Sequence, residues 1–398
     1  MTAWIETSPA SGVRAPQKAA ALRSAIQIRP SDPALHTALG GTLFELRRFN
    51  EAIVAYEAAL ALDPTGFTDW QTLAASQLRA HRPGDALALC DRRWPGAGTP
   101  RWHQARGAAL AKLGRAAEAR AEHLRAMALG DPGLHSLHAL LQSIASEGDG
   151  AALLEICEGE GAPYADTAAI RAWRAAALSM TGREDEARML IDLDRSTVRV
   201  PFDPPPEFGG IEAFNRLLAA AILDDPPPAP RNEDPDMTYS VRARASAPLA
   251  ALRDFIRASV ADYVGNLDAL GLARVMPPPP EYARLTCGAA VLRRGARNKQ
   301  HVHTTGYVST VYHVEAPPLE GRRGALALGV CDELTGGHRG CWGERYLEPR
   351  AGWLTIIPSH VFHDVVPTGS DAPRIAIVSD LIPMRSAEPP EADAFAED

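Results

Sequence analysis

The feature that most constrains the fold of this chain is a period of thirty-four residues in its first half. Pro30 and Pro64 are separated by this period, and each ends a similar segment, IQIRPSDP and LALDPTGF. From about residue 15 to about residue 195 the sequence is rich in Ala, Leu, Arg and Glu, with apolar residues at helical spacing. A fixed period of helical segments predicts two-helix hairpins that stack into a solenoid.

The unit that begins at residue 33 resembles the tetratricopeptide repeat (TPR). Residues of the types that this repeat requires stand at Leu39, Gly40, Ala52, Tyr56, Ala59 and Pro64. The small side chains allow the two helices to approach closely, the aromatic ring fills the space between them, and the proline ends the second helix. We therefore expect a TPR-like helical domain over residues 1–199, with a weaker match over residues 134–165.

The expected number of hairpins is about five. The concave face of such a solenoid commonly binds peptide segments, so we consider a peptide or protein partner there. The same apolar stripe is also needed merely to stack the hairpins, and the repeat alone does not identify a ligand.

Composition excludes several functional classes. A formal charge of -8 gives no general reason to bind nucleic acid, and no apolar run is long enough to span a membrane. Five scattered cysteines without a CxxC pair do not indicate a disulfide scaffold, and the N-terminal residues lack the pattern of a secretion signal. We expect a cytoplasmic location.

The composition and the hydrophobic pattern of the sequence change near residue 200. Residues 200–208 are rich in proline and are predicted to be a linker. Two amphipathic helical segments follow, and from Glu281 onward short β-type runs alternate with Gly, Pro and Asp turns, as expected for an antiparallel sandwich or barrel. Residues 386–398 are acidic and contain proline, which predicts a disordered tail.

Histidines cluster in this second half. On an extended chain, His301 and His303 face the same side, so their imidazoles could hold one metal ion if a third ligand came from another strand. His363 is the best candidate for that ligand. Arg374 opens a later β-type run, where a guanidinium could bind a dicarboxylate through paired hydrogen bonds.

These residues stand in segments that resemble the 2-oxoglutarate and iron(II)-dependent oxygenases. The segments are NKQHVHTTGYVSTVYHVEAP and GWLTIIPSHVFHDVVPTGSDAPRIAIVSDL, and the resemblance covers about residues 209–385. It implies a multidomain α and β protein in which a double-stranded β-helix (a jelly-roll, cupin-like fold) with flanking helices follows the TPR domain. It also implies that His301, His303 and His363 bind Fe(II), and that Arg374 binds the far carboxylate of the cosubstrate 2-oxoglutarate.

The implied activity is that of a dioxygenase, with no catalytic residue beyond the metal centre. Because the preceding solenoid can hold an extended chain, we expect a peptide or protein side chain as the substrate, and a small metabolite stays open. His303 departs from the usual triad of two histidines and one carboxylate. An oxygen ligand from Asp332, Glu333 or Asp364 is therefore an alternative.

Residues around the metal ligands provide further candidates. Asn298, Tyr312 and His313 are possible substrate contacts or neighbours of the metal ligands. Ala376 replaces a serine of the related pattern, which removes a hydroxyl group that could help hold the cosubstrate. Two other functions stay open: a three-histidine dioxygenase without 2-oxoglutarate, and a non-catalytic TPR adaptor with a degenerate oxygenase domain.

Overall fold

A computed structural model describes residues 3–4, 15–46, 48–92, 98–130, 134–223, 237–240, 246–318 and 320–384. The chain divides into two compact units. We call residues 9–143 and 228–235 the repeat unit, and residues 1–8, 144–227 and 236–398 the sheet unit. The predicted tail, residues 386–398, lies outside the described residues. Within the described residues, no helix combines the length and apolarity needed to cross a membrane.

Consecutive helices form the repeat unit. They are α1 (Ala15–Ile28), α2 (Pro33–Glu45), α3 (Phe49–Leu62), α4 (Trp70–Arg79), α5 (Pro83–Asp91), α6 (Pro100–Lys112), α7 (Ala116–Ala128) and α8 (Leu134–Ser146), of which α8 ends just inside the sheet unit. Helices α2 and α3, α4 and α5, and α6 and α7 pack as pairs, and α3 and α5 also contact the first helix of the next pair. Such hairpins, packed one on the next, agree with the predicted repeat.

The close approach of paired helices depends on small residues. A Cβ atom added to Gly40 would lie 2.8 Å from the ring of Tyr56, which is almost completely buried. Gly107 stands in the same relation to His123, at 2.7 Å. The first position of α2 is Pro33, and Asp32 caps the helix by accepting a hydrogen bond from the Ala34 amide.

Among the described residues, six helices belong mainly to the sheet unit. They are α9 (Gly150–Glu158), α10 (Ala168–Met180), α11 (Glu184–Leu190), α12 (Leu193–Ser196), α13 (Ile211–Leu223) and α14 (Ala247–Gly265). Short 3₁₀ helices span Ala162–Tyr164 and Pro206–Phe208.

The strands form one eight-stranded sheet and one three-stranded sheet. They are β1 (Ala3–Trp4), β2 (Val198–Pro201), β3 (Met237–Ser240), β4 (Tyr282–Leu285), β5 (Gly288–Leu292), β6 (Val308–Glu315), β7 (Leu326–Leu328), β8 (Arg345–Leu347), β9 (Trp353–Pro358), β10 (His363–Val365) and β11 (Arg374–Met384). The large sheet has the order β1-β4-β11-β6-β9-β2, with β5 paired to β11 and β3. The small sheet has the order β10-β7-β8. All pairs are antiparallel except β1 with β4, so the predicted antiparallel sheet domain is confirmed.

One face of the large sheet is the core of the sheet unit. Ile375, Ile377 and Leu381 of β11 lie in a buried apolar cluster with residues of β6, α13 and α14. Because successive side chains of a strand point to opposite faces, Arg374 and Asp380 point away from this cluster. The opposite face is therefore free for polar side chains.

The sheet unit begins earlier than the predicted domain boundary at residue 199. Trp173 of α10 packs edge-on against Phe362, with ring centroids 5.5 Å apart, and the imidazole of His360 donates a hydrogen bond to the carbonyl of Leu190 at 2.8 Å. These buried contacts attach residues 144–199 to the sheets, so they form one unit with them. The predicted linker is corrected too: Val198–Pro201 pairs with β9, which extends the sheet into residues 200–208.

Candidate metal centre

The backbone fixes the three predicted ligands at one place in the sheet unit. His301 and His363 form an isolated antiparallel bridge, in which each amide donates to the other residue's carbonyl at 3.0 Å. The amide of His303 donates to the carbonyl of Ser359, also at 3.0 Å. Residues distant in sequence are thus held together by main-chain hydrogen bonds, independently of their side chains.

The imidazoles of these histidines converge. One nitrogen from each of His301, His303 and His363 lies within 4.8 Å of the other two, and the Nε2 atoms of His301 and His303 are 3.2 Å apart. Two imidazole nitrogens bound to one cation at about 2.1 Å, roughly at right angles, would be about 3 Å apart. The spacing of this pair fits a single metal ion.

The opposite ring nitrogens have acceptors of their own. His301 Nδ1 lies 2.6 Å from the carbonyl of Lys299, His303 Nδ1 lies 2.5 Å from Oδ1 of Asp380, and His363 Nδ1 lies 2.9 Å from the carbonyl of Val361. Since carbonyl and carboxylate oxygens only accept, each Nδ1 carries the hydrogen and each Nε2 presents a lone pair. The Nε2 atoms of His301 and His303 face each other at 3.2 Å, a spacing at which one cation can accept both lone pairs.

Burial favours the neutral form of His363. Burial and the neighbouring His303 lower the pKa of His363 to about 3, so its imidazole is neutral at physiological pH, as metal binding requires. Burial raises the pKa of Asp380, but the charge and hydrogen bond of His303 and a bond from Ser309 outweigh it, and the net shift is downward. Asp380 is therefore an anion beside the site.

The carboxylates considered as additional ligands are occupied elsewhere. Asp332 accepts a hydrogen bond from Gln300 at 2.6 Å, and Arg297 pairs with both Glu333 and Asp364. Asp364 follows His363 within β10 and so points to the opposite face of that strand. Within the described part of the chain, the only cluster of three or more candidate ligand side chains is the histidine triad itself.

Arg374 is a buried cation with unused hydrogen-bonding capacity. Only 1% of its surface is exposed, its Nε donates to the carbonyl of Gly324 at 3.0 Å, and one terminal guanidinium nitrogen has no hydrogen-bond partner. Burial lowers its pKa to about 10. A buried charged donor without a partner is costly, and an anion at this position would satisfy it.

His313 lies on the same face of the large sheet as Arg374. Its neighbours Tyr312 and Val314 both belong to the apolar core, so the His313 side chain points the other way. It is fully buried, and its Nδ1 atom has no hydrogen-bond partner. Burial and the charges of Arg374 and Arg199 hold its pKa well below the usual range. His313 is thus a neutral ring with free hydrogen-bonding capacity beside a buried cation.

The other two predicted neighbours of the metal ligands have different surroundings. Asn298 lies at the metal centre, since its side-chain amide is 3.3 Å from His301 Nε2. Tyr312 lies in the apolar core, where its hydroxyl donates to Asn215 at 2.7 Å. Its position in β6 turns the Tyr312 side chain to the core face, opposite to the face that carries His313.

Asp380 is a residue of the site that the sequence analysis did not find. It lies six positions after Arg374 in β11, an even number that places both side chains on one face. Strand alternation was therefore the available signal. Its pairing with His303, which is 77 residues away, depends on tertiary structure.

Comparisons with known proteins agree with this division of the chain. Residues 286–380 match the family described as putative 2OG-Fe(II) oxygenases, and residues 33–65 match the tetratricopeptide repeat. The C-terminal part is thus an oxygenase-family domain, and the N-terminal part contains a TPR. No curated protein matches the chain significantly.

Several solved structures are similar to parts of the chain. A Pseudomonas putida prolyl-4-hydroxylase is 16% identical, over 48% of this chain and 93% of its own, with a TM-score of 0.34. A Trichoplax adhaerens prolyl hydroxylase in complex with a hypoxia inducible factor peptide fragment is 14% identical, over 51% and 91%, with a TM-score of 0.33. The type IV pilus biogenesis factor PilW is 16% identical, over 44% and 81%, with a TM-score of 0.38. Likeness at this level carries no argument about function.

Proposed function

We propose that this protein is a 2-oxoglutarate- and Fe(II)-dependent dioxygenase that hydroxylates a peptide or protein side chain. The observation that carries the proposal is the convergence of three imidazoles, each with its Nδ1 beside an oxygen acceptor and with one ring nitrogen of each within 4.8 Å of the other two. The oxygenase-family match over residues 286–380 supports the same activity. In this proposal the two sheets are the walls of a double-stranded β-helix.

The residues that would hold the metal are His301, His303 and His363. Iron(II) with 2-oxoglutarate supplies oxygen activation when bound, with oxidative decarboxylation of the cosubstrate to succinate and carbon dioxide and hydroxylation of the substrate. The chain would provide three imidazoles as ligands, each held in its orientation by an acceptor beside Nδ1. Asn298 lies beside His301 Nε2, where its amide can donate to a group bound next to that imidazole.

The far carboxylate of 2-oxoglutarate would be bound by Arg374. A carboxylate supplies the anionic acceptor that the free guanidinium nitrogen lacks in its buried position. His313 directly opposes Ala376 across the strands, so its ring takes the space beside the small side chain at which a serine was expected. We include His313 as a second contact of that carboxylate, provided that its free Nδ1 carries the hydrogen.

The proposed substrate class rests on the repeat unit. TPR hairpins bind peptide segments in many proteins, and this unit contains a pocket of about 580 Å³ that offers aromatic and charged groups. Its lining includes Trp102, His103, Arg106, Glu122 and Arg125. We propose that the repeats present a peptide or protein segment for oxidation.

A second candidate function is favoured by the ligand set. A three-histidine dioxygenase without 2-oxoglutarate would need no carboxylate ligand, and Arg374 would then bind a carboxylate of the substrate itself. Incubation of the full chain with Fe(II), oxygen and candidate peptides, with and without 2-oxoglutarate, separates the two. Succinate formation that depends on oxygen and is lost in His363→Ala is expected. Oxygen uptake that needs no 2-oxoglutarate would favour the second candidate.

A further inference from the structure

Asp380 differs from the other groups that hold the histidine ligands. Its Oδ1 lies 2.5 Å from Nδ1 of His303, whereas the rings of His301 and His363 donate to neutral backbone carbonyls. The acceptor beside Nδ1 of His303 is thus an anion, whereas the acceptors beside Nδ1 of His301 and His363 are neutral. A carboxylate acceptor makes a stronger hydrogen bond than a carbonyl and raises the basicity of the ring.

The geometry places Oδ1 of Asp380 on the far edge of the ring. The Nε2 edge of His303 faces His301, at 3.2 Å, and the Nδ1 edge faces Asp380. An oxygen bonded to Nδ1 lies across the ring from the metal-facing nitrogen. Asp380 thus acts through His303 and fixes its Nε2 as the lone-pair donor.

The carboxylate is itself held in place. The backbone amide of Asp380 donates to the hydroxyl of Thr286 at 3.1 Å, and the amide of Thr286 donates to the Asp380 carbonyl at 2.9 Å. Ser309, which bonds the Asp380 side chain, is 2.7 Å from the hydroxyl of Ser359. The carbonyl of Ser359 in turn accepts from the amide of His303, so acid and ligand share one hydrogen-bonded network.

The net charge of the proposed ligand set explains why an anion beside His303 matters. Three neutral imidazoles bring no negative charge to a divalent cation, whereas a triad with one carboxylate brings one. Asp380 is an anion separated from the cation by a single imidazole ring. The negative charge that the three ligands lack is therefore present on Asp380, on the side of the His303 ring that faces away from the metal.

We infer that Asp380 is a positioning residue of the metal centre, which orients His303 and supplies the negative charge that the three-histidine ligand set lacks. The inference rests on the proposed metal site and adds a residue to it. Asp380→Ala removes both contributions, whereas Asp380→Asn keeps an acceptor for the Nδ1 hydrogen and removes only the charge.

Anaerobic titration of the full chain with Co(II) tests the inference without turnover. We expect the Kd to rise about 10–100-fold in Asp380→Ala and less in Asp380→Asn. We also expect the visible spectrum of bound Co(II) to change in Asp380→Ala and to be largely restored in Asp380→Asn. A merely structural aspartate would lower the unfolding temperature without this partial rescue of the spectrum.

Asp364→Asn is the matched control. It removes a carboxylate one residue from His363, on the opposite face of β10, where Asp364 pairs with Arg297. Its Kd should stay within about threefold of the wild-type value, because Arg297 lies 2.6 Å from the Asp364 carboxylate and already balances its charge. Wild-type affinity and spectrum in Asp380→Ala would overturn the inference and leave the metal site intact. Absence of Co(II) binding by the wild-type protein would instead overturn the proposed metal site, and this inference with it.

Discussion

The two faces of strands β6 and β11 differ in the kind of side chain that they bury. On one face, Ile375, Ile377 and Tyr312 lie in an apolar cluster, and the single polar group of Tyr312 has its partner in Asn215. On the other face, Arg374 and His313 are just as buried but keep polar atoms without partners. The hydroxyl of Thr310, on the first face, also lacks a partner, so what distinguishes the second face is a buried charge rather than an unpaired polar atom. A buried charge is normally paired, so the second face is suited to an anionic ligand.

The largest effect is expected from a metal ligand on the polar side. His363→Ala should weaken the binding of Mn(II) or Co(II) at least about 1,000-fold, because the two remaining imidazoles cannot surround the ion. Isothermal titration under anaerobic conditions measures this loss. His36→Ala, in α2 of the repeat unit, is the control, and equal affinities in the two variants would contradict the assignment of the ligand.

The next largest effect is a loss of stability, which should differ between two adjacent residues of β11 that point to opposite faces. Ile377→Ala should lower the free energy of unfolding by about 2–5 kcal/mol, because it leaves a cavity in the apolar cluster. Val378→Ala changes the other face, where Val378 is only partly buried, and should cost clearly less. Urea denaturation measures both values. Metal affinity should be retained in folded Ile377→Ala. A smaller loss of unfolding free energy in Ile377→Ala than in Val378→Ala would contradict the assignment of the core to the Ile377 face.

A third test concerns the unsatisfied cation. Arg374→Met keeps an unbranched, flexible side chain and removes the charge, so 2-oxoglutarate affinity should fall about 100-fold, as expected for the loss of a charge-assisted pair. Ligand-induced thermal stabilisation in the presence of Mn(II) measures the change. Metal affinity should not fall, and the ligand-free protein should not become less stable, since an unpaired buried charge is removed. Unchanged 2-oxoglutarate affinity in Arg374→Met would show that the far carboxylate does not bind at Arg374.

The smallest effect is a dependence of stability on pH. Burial and Arg171 lower the pKa of His360 to about 3, although its bond to the Leu190 carbonyl opposes the shift. Below about pH 6.5 the unfolded chain takes up a proton that the folded protein excludes, so stability falls as the pH drops from about 6.5 toward 3. This histidine should cost about 2 kcal/mol by pH 5.

His360→Gln, which keeps an N–H donor for Leu190, should flatten the dependence by that amount. Thermal unfolding at pH 7.5 and pH 5 measures the difference. His36→Gln provides the control, because this side chain is only partly buried. An unaltered pH dependence in His360→Gln would mean that His360 takes up its proton in the folded state.

The sequence was most informative where a short pattern has one structural meaning. The positions of Gly40 and Tyr56 predicted a helical hairpin, and the structure has Tyr56 packed against Gly40 at a distance that leaves no room for a Cβ atom. The pattern of His301, His303 and His363 predicted convergence, and their nitrogens do converge.

Long-range contacts limited the rest of the prediction. The packing of Trp173 on Phe362 and the bond from His360 to Leu190 join segments about 170 residues or more apart, so a change of composition near residue 200 did not reveal where the sheet unit begins. The pairing of Asp380 with His303 is of the same kind. Tyr312 and His313 were both considered as contacts, and strand alternation puts them on opposite faces.

The most direct test of the account is a crystal structure of the full chain soaked anaerobically with Mn(II) and 2-oxoglutarate. The account predicts one ion at about 2.1–2.2 Å from the Nε2 atoms of His301, His303 and His363, with the far carboxylate of 2-oxoglutarate on Arg374. An ion bound through other side chains, or three imidazoles that remain apart from any ion at saturating Mn(II), would contradict it.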